Sequence, residues 1–169
     1  DRLGVPQKRI LVLFGHEVPE AEHACAALGI NATTRKIITD TDGTEAGWKY
    51  WGLSEKSNSL PHPDTPTDPQ TRITGTWLEV LARIPVILHR ARLSYRELLA
   101  VIDTRFINPE KTISIVMPVS DNVLDCDVSA MTITGLDEPA AGRFHRFVSL
   151  WRKTNLSIPE LEQLLAGSA

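Results

Sequence analysis

Apolar residues recur at helical spacing along much of this chain, and the pattern is stated twice. Leu93–Ile102 reads LSYRELLAVI, and Leu156–Leu165 reads LSIPELEQLL. In the first, Tyr95, Leu98, Leu99 and Ile102 fall at offsets 0, 3, 4 and 7, one stripe of a helix. Ser94 with Glu97, and Ser157 with Glu160, have the S-x-x-E spacing of a capping box. In that box the hydroxyl accepts from the third helical amide and the carboxylate reaches back to the cap amide. A longer apolar stretch precedes each box. TWLEVLARIPVILHRAR follows an ITG tripeptide at Ile73–Gly75, and LDEPAAGRFHRFVSLWRKT follows a second ITG at Ile133–Gly135. Phe144, Phe147, Val148 and Trp151 repeat the stripe there. The predicted unit is a long helix, a tight turn and a short helix, over 73–105 and again over 133–166. Pro85 removes the donor to the Leu81 carbonyl and predicts a kink in the first long helix. Two copies are fewer than a solenoid needs.

Between the copies, Thr112–Met117 and Met131–Thr134 alternate and are β-branched, which predicts a short two-stranded ribbon near 112–134. Upstream, SNSLPHPDTPTDPQTR at 57–72 holds four prolines among polar residues. Proline lacks the donor and restricts its neighbour, so an exposed loop without helix or central strand is expected. It divides an N-terminal helical part, 1–56, from 73–169. In that part ILVLFG stops at Gly15, and PEAEHACAALG starts on Pro19 and ends on Gly29. One or two short helices then lead to the aromatic cluster Trp48, Tyr50 and Trp51. The expected fold class is mainly α, packed helical hairpins with a small β-ribbon inserted between them.

Composition narrows the classes. The chain has 169 residues, 42% of them hydrophobic, enough to bury a core. A net charge of -3 gives no broad phosphate-neutralising surface and no polybasic membrane signal. No run approaches the ~20 apolar residues of a membrane span. Cys25 and Cys126 stand far apart, as two thiols, the expected state, or one long-range disulfide. The opening DRLGVP has no initiator Met and no secretory leader pattern, and reads as a piece of a longer protein.

Candidate chemistry is sparse. With Gly43 at position 6 of a calcium loop, Asp42 and Asp40 take positions 5 and 3. Positions 1 and 12 are then Ile38 and Lys49, neither a ligand, so Asp40–Glu45 reads as a polar turn. His16 and His23 are separated by Pro19, and no H-E-x-x-H spacing occurs. His62, His89 and His145 have no paired ligand in sequence, and His145 is placed on the edge of a buried face. There is no phosphate-binding glycine loop and no G-x-S-x-G. RFHRFVSLWRK carries Arg143, Arg146, Arg152 and Lys153 without an acid. A helix-turn-helix using this basic 143–153 helix on nucleic acid is the alternative reading. The reading preferred is an aromatic core stripe with a basic outer face, its cations near the helix C-terminus where the dipole favours them. No catalytic, cofactor-binding or metal-ligating residue is expected, and no cofactor.

Several long stretches resemble one family. They are YWGLSEKSNSLPHPDTP, ITGTWLEVLARIPVILHRARLSYRELLAVIDTRFINP and CDVSAMTITGLDEPAAGRFHRFVSLWRKTNLSIPELEQLL. Together, over about 50–165, they resemble the A component of bacterial Tc insecticidal toxin complexes. The resemblance implies a virulence-associated, secreted, pore-forming translocator, similar to a bell-shaped pentamer with an α-helical shell around a channel. It would deliver a toxic enzyme supplied by B and C components. The matching segments look like shell, so the implied role is structural and non-enzymatic. The implied partners are the remainder of the parent chain, a pentameric homo-oligomer and the B and C components. Host membrane would be met only through the full-length protein, and nucleic acid not at all.

Overall fold

The computed structural model describes residues 25, 28–39, 47–120, 123–124 and 127–166. The helices expected before Cys25, His16 and His23, the Asp40–Glu45 turn and Cys126 lie outside the described residues, while Cys25 itself is buried.

Helix α1 (Ala32–Thr39) opens on Asn31, whose side chain accepts from the Thr34 amide at 2.7 Å. A short helix α2 (Gly47–Tyr50) delivers the aromatic cluster, with Trp51 and Leu53 buried just after it. Strand β1 (Asn58–Leu60) then pairs antiparallel with β2 (Ile73–Gly75), Asn58 opposite Gly75 and Leu60 opposite Ile73. This corrects the expectation for 57–72. The proline-rich stretch begins as a strand, contains a 3-10 turn at Pro69–Thr71, and is the connection of a two-stranded hairpin. Its prolines fall after β1 or at the start of the 3-10 turn, where no ladder donor is needed. Asn58 supplies the local reason for the turn into β1. Its buried amide accepts from the Ser54 amide at 2.8 Å and donates to the Ser54 and Gly75 carbonyls at 2.7 and 3.3 Å.

The long helix expected after the first ITG is two helices, α3 (Trp77–Leu81) and α4 (Ile84–Ala91). Pro85 does not kink a helix. It sits in the first turn of α4, where a missing N–H costs nothing. Arg83 between them is extended, with φ -72° and ψ 123°. The backbone groups opened by the break are met by a later part of the chain. The Ile84 amide donates to the Met131 carbonyl at 3.2 Å, and the Ala82 carbonyl accepts from the Ile133 amide at 2.7 Å. Helix α5 (Tyr95–Ile102) follows, capped by Ser94 and Glu97. Its buried residues are Leu98, Val101 and Ile102, whereas Leu99 is 44% exposed. The buried stripe is thus rotated from the one the spacing predicts.

Strand β3 (Ser114–Val116) pairs with β6 (Thr132–Thr134), within the span where alternation places a ribbon. A smaller pair, β4 (Val119–Ser120) with β5 (Val123–Leu124), lies between them in sequence. Helix α6 (Glu138–Trp151) starts on Asp137, whose carboxylate accepts from the Ala140 amide at 2.8 Å, with Pro139 in the first turn. Helix α7 (Ile158–Ala166) starts on the second box. The Ser157 amide and hydroxyl both donate to Glu160, at 2.8 and 2.7 Å.

The result is a mixed α/β arrangement, helices with three two-stranded antiparallel pairs among the described residues. Its centre is α6, whose Ala140, Ala141, Phe144, Phe147, Val148 and Leu150 are buried. Ile38, Trp51, Ile84, Leu98 and Leu161 belong to the same core. Residues on both sides of the proline-rich stretch therefore share one core. Burial of Phe144 and Phe147, each 1% exposed, contributes about 2–3 kcal/mol apiece.

Candidate functional site

The sequence points to the basic helix, and the structure shows where its cations go. Arg143 donates through Nε and Nη2 to the Ile107 carbonyl, at 3.3 and 3.1 Å. That carbonyl belongs to the DTRFINP turn. The turn is tied by Thr104, which donates to the Val101 carbonyl at 2.7 Å, and by Asn108. Asn108 accepts from the Ile113 amide at 3.0 Å and donates to its carbonyl at 2.9 Å. Arg152 donates through Nη2 to the carbonyls of Ala91 and Arg92, the latter at 2.9 Å. These end α4, where Arg92 takes the left-handed conformation with φ 50°. A helix C-terminus leaves carbonyls open and carries partial negative charge, so a guanidinium there satisfies both. Lys153 donates to the Gly29 carbonyl at 3.3 Å. Three of the four cations thus bind carbonyls of other segments. Trp151 is half-buried rather than a core anchor, and its indole N–H donates to the Leu156 carbonyl at 2.9 Å, bracing the turn into α7.

Beside this face lies a cleft of about 230 Å³. α2 and the turn after it supply Tyr50 and Trp51, α4 supplies Arg90, and α6 with its end supplies His145, Ser149, Arg152 and Lys153. Tyr50 stacks on His145 with ring centres 5.5 Å apart and planes 22° apart. Trp51 meets His145 edge-on at 5.1 Å and leans on Phe144 at 5.9 Å. The four rings follow from local sequence: Tyr50 and Trp51 are adjacent, and Phe144 and His145 are adjacent on a helix whose Phe faces the core. Burial holds the His145 pKa down, to about 4, against a smaller opposing effect of its hydrogen bond to the Tyr50 main chain. Its ring is therefore neutral near pH 7, and its Nδ1 is buried without a partner. Arg152 is also lowered, by burial first and by the Arg92 charge second. Arg90 is exposed, and its guanidinium covers Gly52, where a Cβ would stand 3.1 Å from Nη1.

His145 is thus placed at the edge of the core, as its position in RFHRF predicts, but sequence reasoning missed its partners. The signal available was the WKYW run, four residues that bring aromatic rings and one lysine to a single turn. His62 is 3.7 Å from Asp64 within the proline-rich stretch, and His89 lies on exposed surface of α4. Among the described residues no group of His, Cys, Asp and Glu could hold a metal ion, and no helix is long and apolar enough to cross a membrane. Comparison with family models, curated proteins and solved structures finds no match for this chain.

Proposed function

We propose that this chain is a structural, non-enzymatic module of a larger secreted protein, a shell element of a translocator like the A component of Tc insecticidal toxin complexes. Its working units are two packed helical hairpins, 73–105 and 133–166. The observation that supports this most is the use of the basic helix. Arg143, Arg152 and Lys153 reach carbonyls at Ile107, Ala91, Arg92 and Gly29, so side chains that could serve a ligand-reading helix brace the fold instead. The resemblance of the ITG, DTRFINP and FHRFVSLWRK stretches to that family supports the same reading. In that setting the hairpins stiffen a wall, their partners are the remainder of the parent chain and its copies, and the B and C components join the complete assembly.

The test is a pair of measurements on the full chain and on a parent translocator carrying the same substitution. Arg152→Ala should lower the melting temperature of the chain and impair assembly of the parent, because it opens the end of α4. Retention on duplex DNA should be absent at ~150 mM salt. Salt-dependent retention that is lost in Arg152→Ala, with normal assembly of the parent, would replace this reading with the helix-turn-helix alternative.

A further inference from the structure

We propose that the Tyr50–His145–Arg90 cleft binds a small organic oxyanion with a flat apolar part, an aryl carboxylate or an aryl phosphate. The charge on its walls sets the sign of the ligand. Arg90, Arg152 and Lys153 line the cleft, and no carboxylate does. These cations keep donors in hand. Arg152 meets Ala91 and Arg92 through Nη2, and Lys153 meets Gly29 through one bond, of the five and three donors those groups carry. Arg90 has no hydrogen-bond or ion-pair partner among the described residues, so its guanidinium is available to a carboxylate or phosphate in bidentate fashion.

Shape and wall chemistry set the rest. A cavity of ~150 Å³ with apolar walls accepts one benzene ring, so about 230 Å³ holds a ring and one charged substituent. Tyr50, Trp51 and His145, packed on one another, make the aromatic part of the lining, against which a flat group packs. The Thr34 and Ser149 hydroxyls add donors on the same lining. A nucleotide is too large for the space, and a metal ion finds no acidic ligand there. Three cations around one cleft also repel one another. An anion in the cleft relieves that repulsion.

Calorimetric titration of the full chain with benzoate and with phenyl phosphate tests the proposal, with benzamide as the neutral analogue. Saturable one-site binding by either anion is expected, and the ratio of the two affinities assigns the headgroup. Benzamide should bind at least about tenfold more weakly, and Arg90→Ala should weaken the anion about fivefold or more without changing the melting temperature. Arg90→Lys should recover part of the loss, and the Nδ1 and Nε2 resonances of His145 should shift on saturation. No saturation up to ~10 mM of either anion, equal binding of benzamide, or wild-type affinity in Arg90→Ala would each overturn it.

Discussion

The two copies of the ITG–helix–LSxxEL pattern fold differently, and the difference lies at the break before Pro85. In the second copy Pro139 follows Glu138 at the helix start, and α6 runs unbroken for 14 residues. In the first, Pro85 stands ten residues after Gly75, and the helix stops, extends through Arg83 and restarts. The break is not left open. Met131 and strand β6, where the second ITG begins, insert the Met131 carbonyl and the Ile133 amide into it, with a bridge between Arg83 and Thr132. One copy is therefore completed by the other. A sequence repeat has become an interlock rather than two equal units side by side.

Truncations along the unbroken helix of the second copy carry the largest expected effect. Phe144→Ala, in the unbroken helix, should cost ~3–5 kcal/mol, and Trp151→Ala less, about 2 kcal/mol, since Trp151 is only half-buried. Trp151→Phe should keep most of the packing and lose about 1 kcal/mol with the Leu156 bond. Urea unfolding of the three variants checks the order. Equal costs for Phe144→Ala and Trp151→Ala would move Trp151 back into the core.

The ITG glycines come next. A Cβ on Gly135, at φ +74°, would stand 2.3 Å from the Thr112 carbonyl oxygen, which is main chain just before β3. A Cβ on Gly75, at φ +147°, would meet Glu79 Oε2 at 2.8 Å, the far end of a flexible side chain. Backbone strain and overpacking together make Gly135→Ala cost about 3–4 kcal/mol, and Gly75→Ala about 1–2 kcal/mol. Thermal unfolding of the pair beside the parent decides it, and a reversed order would mean that the second ITG is the looser one.

Acid should loosen the second copy in a defined window. His145 on α6 has a folded pKa of about 4 against an ordinary 6.5, so the unfolded chain binds the extra proton between those values. Stability is then full above pH 6.5, falls as pH drops towards 4 and is level below that for this group. The loss is of the order of 3 kcal/mol. Glu97 and Glu79, lowered by the amides of Ser94 and Thr76 first and their hydroxyls second, add losses only at more acid pH, as each carboxylate protonates. His145→Phe should flatten the pH 6.5–4 slope of the melting temperature. An unchanged slope would show that another group carries it.

The caps should behave alike where the helices differ. Ser94→Ala and Ser157→Ala should each cost about 1 kcal/mol, because both hydroxyls make the same bonds to Glu97 and Glu160. A cost in only one copy, read by urea unfolding, would break the equivalence. The smallest effect belongs to Pro85→Ala, within about 0.5 kcal/mol, since Pro85 occupies a first turn that suits it but β6 already holds the break. Hydrogen exchange at the Ile133 amide should stay slow in that variant. Fast exchange would mean that α3 and α4 had fused and expelled the strand.

What the sequence determined by itself is the set of contacts closed within about four residues. The Ser94–Glu97 and Ser157–Glu160 boxes could be read directly, because donor and acceptor are neighbours in the chain, and so could the apolar faces of Phe144, Phe147 and Val148. The same holds for the alternating residues of β3 and β6, though not for their register. Tertiary structure alone decided the rest. It chose whether Pro85 kinks a helix or starts one, because β6 was present to satisfy the opened groups. It turned residues 58–60 into a strand by bringing Ile73–Gly75 alongside. It sent Arg152 to carbonyls 60 and 61 residues away, and set Tyr50 against His145 across α6. A backbone group or a guanidinium accepts any partner of the right polarity, so its own neighbourhood in sequence says only that a partner is needed. Which one it takes depends on where the packed core returns the chain.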